Sequence, residues 1–284
     1  MSQPCPECGA KGGHLLGCSR SDPAFRDLGR PRPPPEAGFA LTAEEDEAPA
    51  SATRLWAFPV AFLAAWGLVS TGPGAFIGST CFGMWLHELG HALAAWLCGQ
   101  WAVPLPWFTF TFGRNPLVSV LVFGGAAGLL WSGRQRQAPA LLAAGGALAL
   151  AGAVGHLLPP RTQELVFVFG GAAGAMLLGA LVASAFLLPP GGRALQGGLR
   201  WGWLAIGAIS WADATHLWVL ARRDVANLPF GLEDGTESDA TKLVERFHWA
   251  EDALVARHLA VAALALGLAL LAWGVVLWRR RAAP

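Results

Sequence analysis

The chain has 284 residues, of which 54% are apolar and only 14% charged, with a formal net charge of +1. Soluble domains carry about 25% charged residues, so this composition excludes an ordinary soluble globular protein and points to an integral membrane protein. The near-neutral balance also argues against an electrostatic nucleic-acid binder.

Residues 1–54 hold no apolar span. Their "GRPRPPPEAG" and "AEEDEA" runs have the composition of a disordered tail, and no apolar core follows the first methionine as a signal peptide would require. One orderly stretch stands at the start: Cys5, Cys8, His14 and Cys18 read C-x2-C-x5-H-x3-C. All four are zinc-ligand types, spaced nearly as in a zinc knuckle, and a module this small would fold only around its ion. A structural Zn²⁺ in the tail is therefore expected, with incidental cysteines as the competing reading.

From residue 55 to 284 the chain reads as one multi-span domain. Windows of about 20 apolar residues mark candidate membrane helices. Seven occur, at 55–72, 76–99, 116–132, 138–158, 164–188, 201–220 and 258–278. The first and third are short enough to be tilted or re-entrant, so an all-α polytopic membrane protein of about six to seven transmembrane helices is expected. Proline pairs at 159–160 and 189–190 close two spans. Trp201, Trp203 and Trp278 sit near span ends, where amphipathic rings settle at lipid headgroups. Arginines near span ends divide almost evenly between the two sides, which leaves the orientation open.

Two stretches break the pattern. "PLPWFTFTFGRN" (104–115) alternates Phe108, Phe110 and Phe112 with threonines, the two-residue period of a short strand. Residues 221–257 are polar, an extramembrane loop with one short helix around "SDATKLVERF" that Ser238 or Asp239 could cap. "VFGGAAG" occurs at both 122–128 and 168–174, and its physical reading is close helix packing through small residues.

The span 76–99 contains "HELGH". Positions i and i+4 share a helix face, so His87 and His91 can grip one Zn²⁺, while Glu88 can act on a water beside it. Zinc makes such a water acidic enough for a carboxylate to take its proton near neutral pH. Ionisable groups inside an apolar span are costly, which favours a functional role over packing.

The segment "HELGHALAAWLCG" resembles the motif of the site-2 protease family of intramembrane zinc metallopeptidases, in its compact bacterial and fungal branch. The resemblance covers residues 76–275 loosely. It implies a membrane-associated strand after the motif helix, for which "WFTFTF" stands in place, and that strand could add an unwound substrate segment at its edge. It further implies a late intramembrane acidic position and then an "SDA" motif, matched by "ISWADATHLW" and "ESDATKLVERFHW". No clean N-P-x-D-G motif is present; "NLPFGLEDG" is a partial echo. The family would make the chain an endopeptidase in a bacterial inner membrane, cutting membrane-protein or membrane-adjacent substrates, with the lipid bilayer as its other partner and no nucleic acid.

Catalytic zinc takes three protein ligands. With the spans as drawn, Asp213 and His216 lie at nearly the depth of His91 and share a face, so they are the favoured completion. Asp239 and Asp234 are the competitors, each needing its loop to dip inward. Glu164 and His156, near span ends, rank below. The alternative function is a non-proteolytic metal-binding membrane protein, whether transporter, receptor or inactive scaffold. Glu88 speaks against it, since a metal holder has no use for an acid beside its ligands.

Overall fold

The computed structural model describes residues 52–188, 197–233 and 236–282. The cluster Cys5, Cys8, His14 and Cys18, and Asp234, lie outside the described residues.

Helix α1 (Ala52–Val69) is followed by the short α2 (Gly72–Ile77), a π-helical turn (Gly78–Gly83) and α3 (Met84–Leu97), which carries HELGH. The break between α1 and α2 follows from Thr71. Its side chain accepts a hydrogen bond from the Gly74 N–H and so caps a new helix, and Pro73 in the first turn needs no intrahelical partner. The chain bends there by 111°. The first two candidate spans are therefore one sharply bent pair. Among the described residues five further helices are long and apolar enough to cross a membrane, or six spans with the bent pair taken as one. They are α4 (Pro116–Gln135), α5 (Pro139–Leu157), α6 (Pro160–Ser184, continued by a 3-10 turn), α7 (Gly197–Arg223) and α9 (Glu251–Ala282).

After α3, Gly99 takes a left-handed φ of 73° and turns the chain into strand β1 (Gln100–Pro104). β1 pairs antiparallel with β2 (Thr109–Arg114), and Leu105 N–H donates to the Phe108 carbonyl at 2.9 Å to close the loop. The expected strand is thus half of a hairpin; "QWAVP" carries too little alternation to announce its partner. Phe108, Phe110 and Phe112 are exposed and lie beside one another. A second, minimal hairpin joins β3 (Leu232–Glu233) to β4 (Thr236–Glu237). It leads into α8 (Asp239–Glu245), whose cap is Ser238 accepting from Thr241 N–H.

The main core lies between α1, α6, α7 and α9, with Phe58, Met176, Trp211 and Leu254 fully or almost fully buried. Trp211 Nε1–H donates to the Ala262 carbonyl at 3.1 Å, so this polar group is satisfied within the apolar core. Helix α3 stands outside that core and packs on α6 backbone to backbone. A Cβ on Gly90 would strike the Gly170 and Gly171 carbonyls, and a Cβ on Gly174 would strike Gly90. Here the second "VFGGAAG" copy does the packing expected of small residues. The first copy, on α4, has open space around Gly124 and Gly128.

Gly90→Val should therefore separate α3 from α6 and lower stability by about 1–3 kcal/mol, the usual cost of overpacking. Thermal unfolding in detergent reads this as a lowered midpoint, whereas Gly124→Val should not lower it.

Candidate metal centre

His87 and His91 project from one face of α3 towards the start of α8 and the glycine stretch of α6. Their Nε2 atoms are 3.1 Å apart. Asp239 Oδ2 lies 3.2 Å from the first and 2.9 Å from the second. Four ligands at 2.0–2.1 Å around a tetrahedral ion are separated by roughly 3.3 Å, so this triangle is within a few tenths of an ångström of one face of a zinc site.

The hydrogen bonding around the triangle sets its chemistry. His91 Nδ1 lies 2.7 Å from the Phe167 carbonyl, which can only accept. The ring proton is therefore on Nδ1, and Nε2 turns its lone pair inward, the usual arrangement of a ligating histidine. Lone pairs on two nitrogens and a carboxylate within 3.2 Å repel unless a cation, proton or metal, is shared among them. Burial alone would raise the Asp239 carboxyl. The hydrogen bonds and charges of His87 and His91 outweigh it and hold Asp239 well below the usual carboxylate range. Its stabilising contribution is therefore complete above that range and is lost as pH falls below it. Lys242 Nζ, 3.5 Å from Oδ1, attends the other oxygen.

Glycine shapes the floor. A Cβ on Gly171 would collide with Nε2 of both histidines, so no other residue there leaves the imidazoles in place. Beside the triangle, Glu88 is buried, with a carboxylate oxygen within 4.8 Å of both imidazoles. That spacing leaves room for a water between the acid and an ion. Thr109, the first residue of β2, holds the acid: its hydroxyl lies 2.7 Å from Glu88 Oε2 and 2.9 Å from the Glu88 carbonyl, and its one proton is shared between these two acceptors.

The depth argument gives the third position to Asp213 and His216, whereas the structure sets Asp239 against the imidazoles. His91 meets α6 at Phe167, only about 10 Å along that helix from its start at Pro160. This near the start of α6, α8 docks close enough to bring Asp239 to the imidazoles. It is tied down by Ser238 Oγ–H donating to the Pro229 carbonyl at 2.6 Å and by the Arg246–Glu164 ion pair at 2.7 Å. Asp213 lies against Gly78 and Gly83 of the π-helical turn, one helical turn back along the chain from His87. His216 sits edge-on to Trp66, with ring centroids 5.4 Å apart. Both still line the same cavity, of about 700 Å³, as His87, Glu88 and Asp239. Glu164 and His156 are outside its lining; the latter bonds to Ser119 and the Gly152 carbonyl.

Three contributors escaped sequence reading. Thr109 and Gly171 carry no signal of their own. His258 does carry one, an ionisable group at the start of an apolar span. It is buried on the cavity wall, stacked on Trp218 at 3.7 Å, with Nδ1–H donating to the Leu254 carbonyl.

Comparison with protein-family models, with curated proteins and with solved structures gives no match. The His87–Glu88–His91 group could hold a metal ion, and its donor set with Asp239 is two imidazoles and a carboxylate. Purified in detergent with zinc supplied, the protein should keep the metal through dialysis. His91→Ala and Asp239→Ala should each lose it, and Asp213→Ala should keep it, as measured by elemental analysis.

Proposed function

We propose that this chain is an integral-membrane zinc endopeptidase that hydrolyses a peptide bond in or near a substrate's transmembrane segment, in the manner of the site-2 protease family that its HELGH segment resembles. The observation that carries the reading is the buried Glu88, hydrogen-bonded by Thr109 beside the inward-facing triangle of His87, His91 and Asp239. A site that only stored or passed an ion would gain nothing from a separately held acid one residue from its ligands.

His87, His91 and Asp239 would hold the ion. When bound, zinc supplies Lewis acidity, polarising a carbonyl and lowering the pKa of water. The remaining work falls to the chain. Glu88 takes a proton from the attacking water as its oxygen joins the carbonyl carbon, and returns that proton to the nitrogen as the C–N bond breaks. Thr109 keeps the carboxylate aimed, and Lys242 and the Phe167 carbonyl keep Asp239 and His91 aimed.

Substrate access is served by the β1–β2 hairpin. Among the described residues β2 pairs with β1 alone, so its other edge offers unpaired backbone groups. An unwound substrate segment could add there as a strand, with Trp107 on the cavity lining and Phe108, Phe110 and Phe112 exposed alongside. Broad exposure of large apolar side chains on α4, α5 and α9 suits a lipid surround.

Two variants test the reading with transmembrane test peptides. Glu88→Gln should keep zinc and lose kcat by roughly 10²–10⁴-fold, the usual contribution of a general base; undiminished cleavage would remove the peptidase reading. Thr109→Val should lower kcat about 10-fold at unchanged KM and zinc content, as expected for losing one hydrogen bond to a charged group, and Thr109→Ser should restore it.

A further inference from the structure

The cavity contains one carboxylate that neither the ion nor the proton transfer uses. Asp213, in the middle of α7, lines it together with His87, Glu88 and Asp239. Each other acid there has a partner: Asp239 has two imidazoles and Lys242, and Glu88 has Thr109. Among the described residues Asp213 has no hydrogen bond or ion pair, and no lysine or arginine lines the cavity. The cavity lining holds the apolar Phe76, Met84, Ala214 and Leu217 together with Ser79, His87 and His216. Asp213 is half-buried, and a carboxylate partly withdrawn from water is relieved by a proton or by another cation that joins it.

Its position is also defined. The carboxylate fills the space that a side chain on Gly83 would occupy, since a Cβ there would strike Asp213 Oδ2, and it lies in contact with Gly78. Gly83 precedes His87 by four residues on the same face, which places Asp213 about 6 Å along the helix from the ligand histidine. An extended peptide advances about 3.3 Å per residue, so that offset is one to two residues of a bound substrate strand.

We propose that Asp213 forms a cation-binding subsite that selects substrates with a lysine or arginine side chain within about two residues of the bond cut. The substrate class rests on the endopeptidase reading; the cation subsite rests on the cavity. The ammonium or guanidinium enters along the apolar wall, its methylenes against Phe76, Met84 and Leu217, and its charge meets the one free carboxylate. An acidic side chain at that place faces Asp213 and is rejected, so the same group supplies both attraction and exclusion.

Two leucine-rich peptides of about 20 residues test this, identical except for one central lysine or norleucine. Their dissociation constants are measured in detergent by fluorescence anisotropy, using full-length Glu88→Gln protein with and without Asp213→Asn. Their cleavage is measured with the wild type and Asp213→Asn. The preference for lysine over norleucine should fall roughly 30-fold or more on Asp213→Asn, in binding and in kcat/KM alike. Equal preference in both proteins overturns the subsite. Should Asp213→Asn not fold, absence of a lysine preference in the protein that keeps Asp213 overturns it equally. An Asp213-dependent binding preference without wild-type cleavage supports the subsite and removes the peptidase reading; cleavage with a preference indifferent to Asp213 does the reverse.

Discussion

Helix α3 can present its histidines only because glycine meets glycine where it crosses α6. With Gly90 against Gly170, Gly171 and Gly174, the two backbones approach more closely than any side chain permits. That approach carries the Phe167 carbonyl to His91 and leaves the space under both imidazoles empty of Cβ atoms. In the lipid surround proposed for these apolar helices there is no hydrophobic drive to associate, so close packing and hydrogen bonding must hold the pair. The triangle of His87, His91 and Asp239, the cavity beside it and the placing of Glu88 all follow from this one contact.

The site is then completed from outside α3, by pieces that are short and well tied. Asp239 arrives on a seven-residue helix capped by Ser238, with Leu243 buried beneath it and Arg246 paired to Glu164. Thr109 arrives on a hairpin strand joined to α3 by Gly99. Each acid thereby has its own environment. Asp239 sits against two imidazoles and Lys242, Glu88 is held by one hydroxyl, and Asp213 has neither an ion pair nor a hydrogen bond among the described residues. Three carboxylates in one cavity can take separate roles because their neighbours differ, not because their chemistry does.

Much of the fold was legible before any coordinates. Helices α4, α5, α6, α7 and α9 follow from long apolar runs, and Pro116, Pro139 and Pro160 mark three of their starts. The β2 strand follows from the Phe/Thr alternation, and the cap at Ser238 from its residue type ahead of a helix. The fusion of the first two candidate spans into a bent pair was not legible, because the break at residues 70–74 reads equally as a loop between two separate spans. Nor was the third position of the triangle. Counting residues from span ends put Asp213 close to the right level, but a helical turn and a rotation about the axis separate it from the imidazoles, and hydropathy encodes neither.

What the amino-acid sequence alone determined is everything that depends on local period and residue type. It places His87 and His91 on one face of an apolar helix with Glu88 one residue on, because spacing by four returns to the same side at 3.6 residues per turn. It also marks Asp213, His216 and Asp239 as the groups worth watching, because ionisable residues near apolar spans are costly. What only the tertiary structure decided is which of them meet. Asp239 reaches the histidines from 148 residues beyond His91. No local pattern specifies that distance, because it is set by where α8 docks on α6 and by how closely two glycine faces let α3 approach.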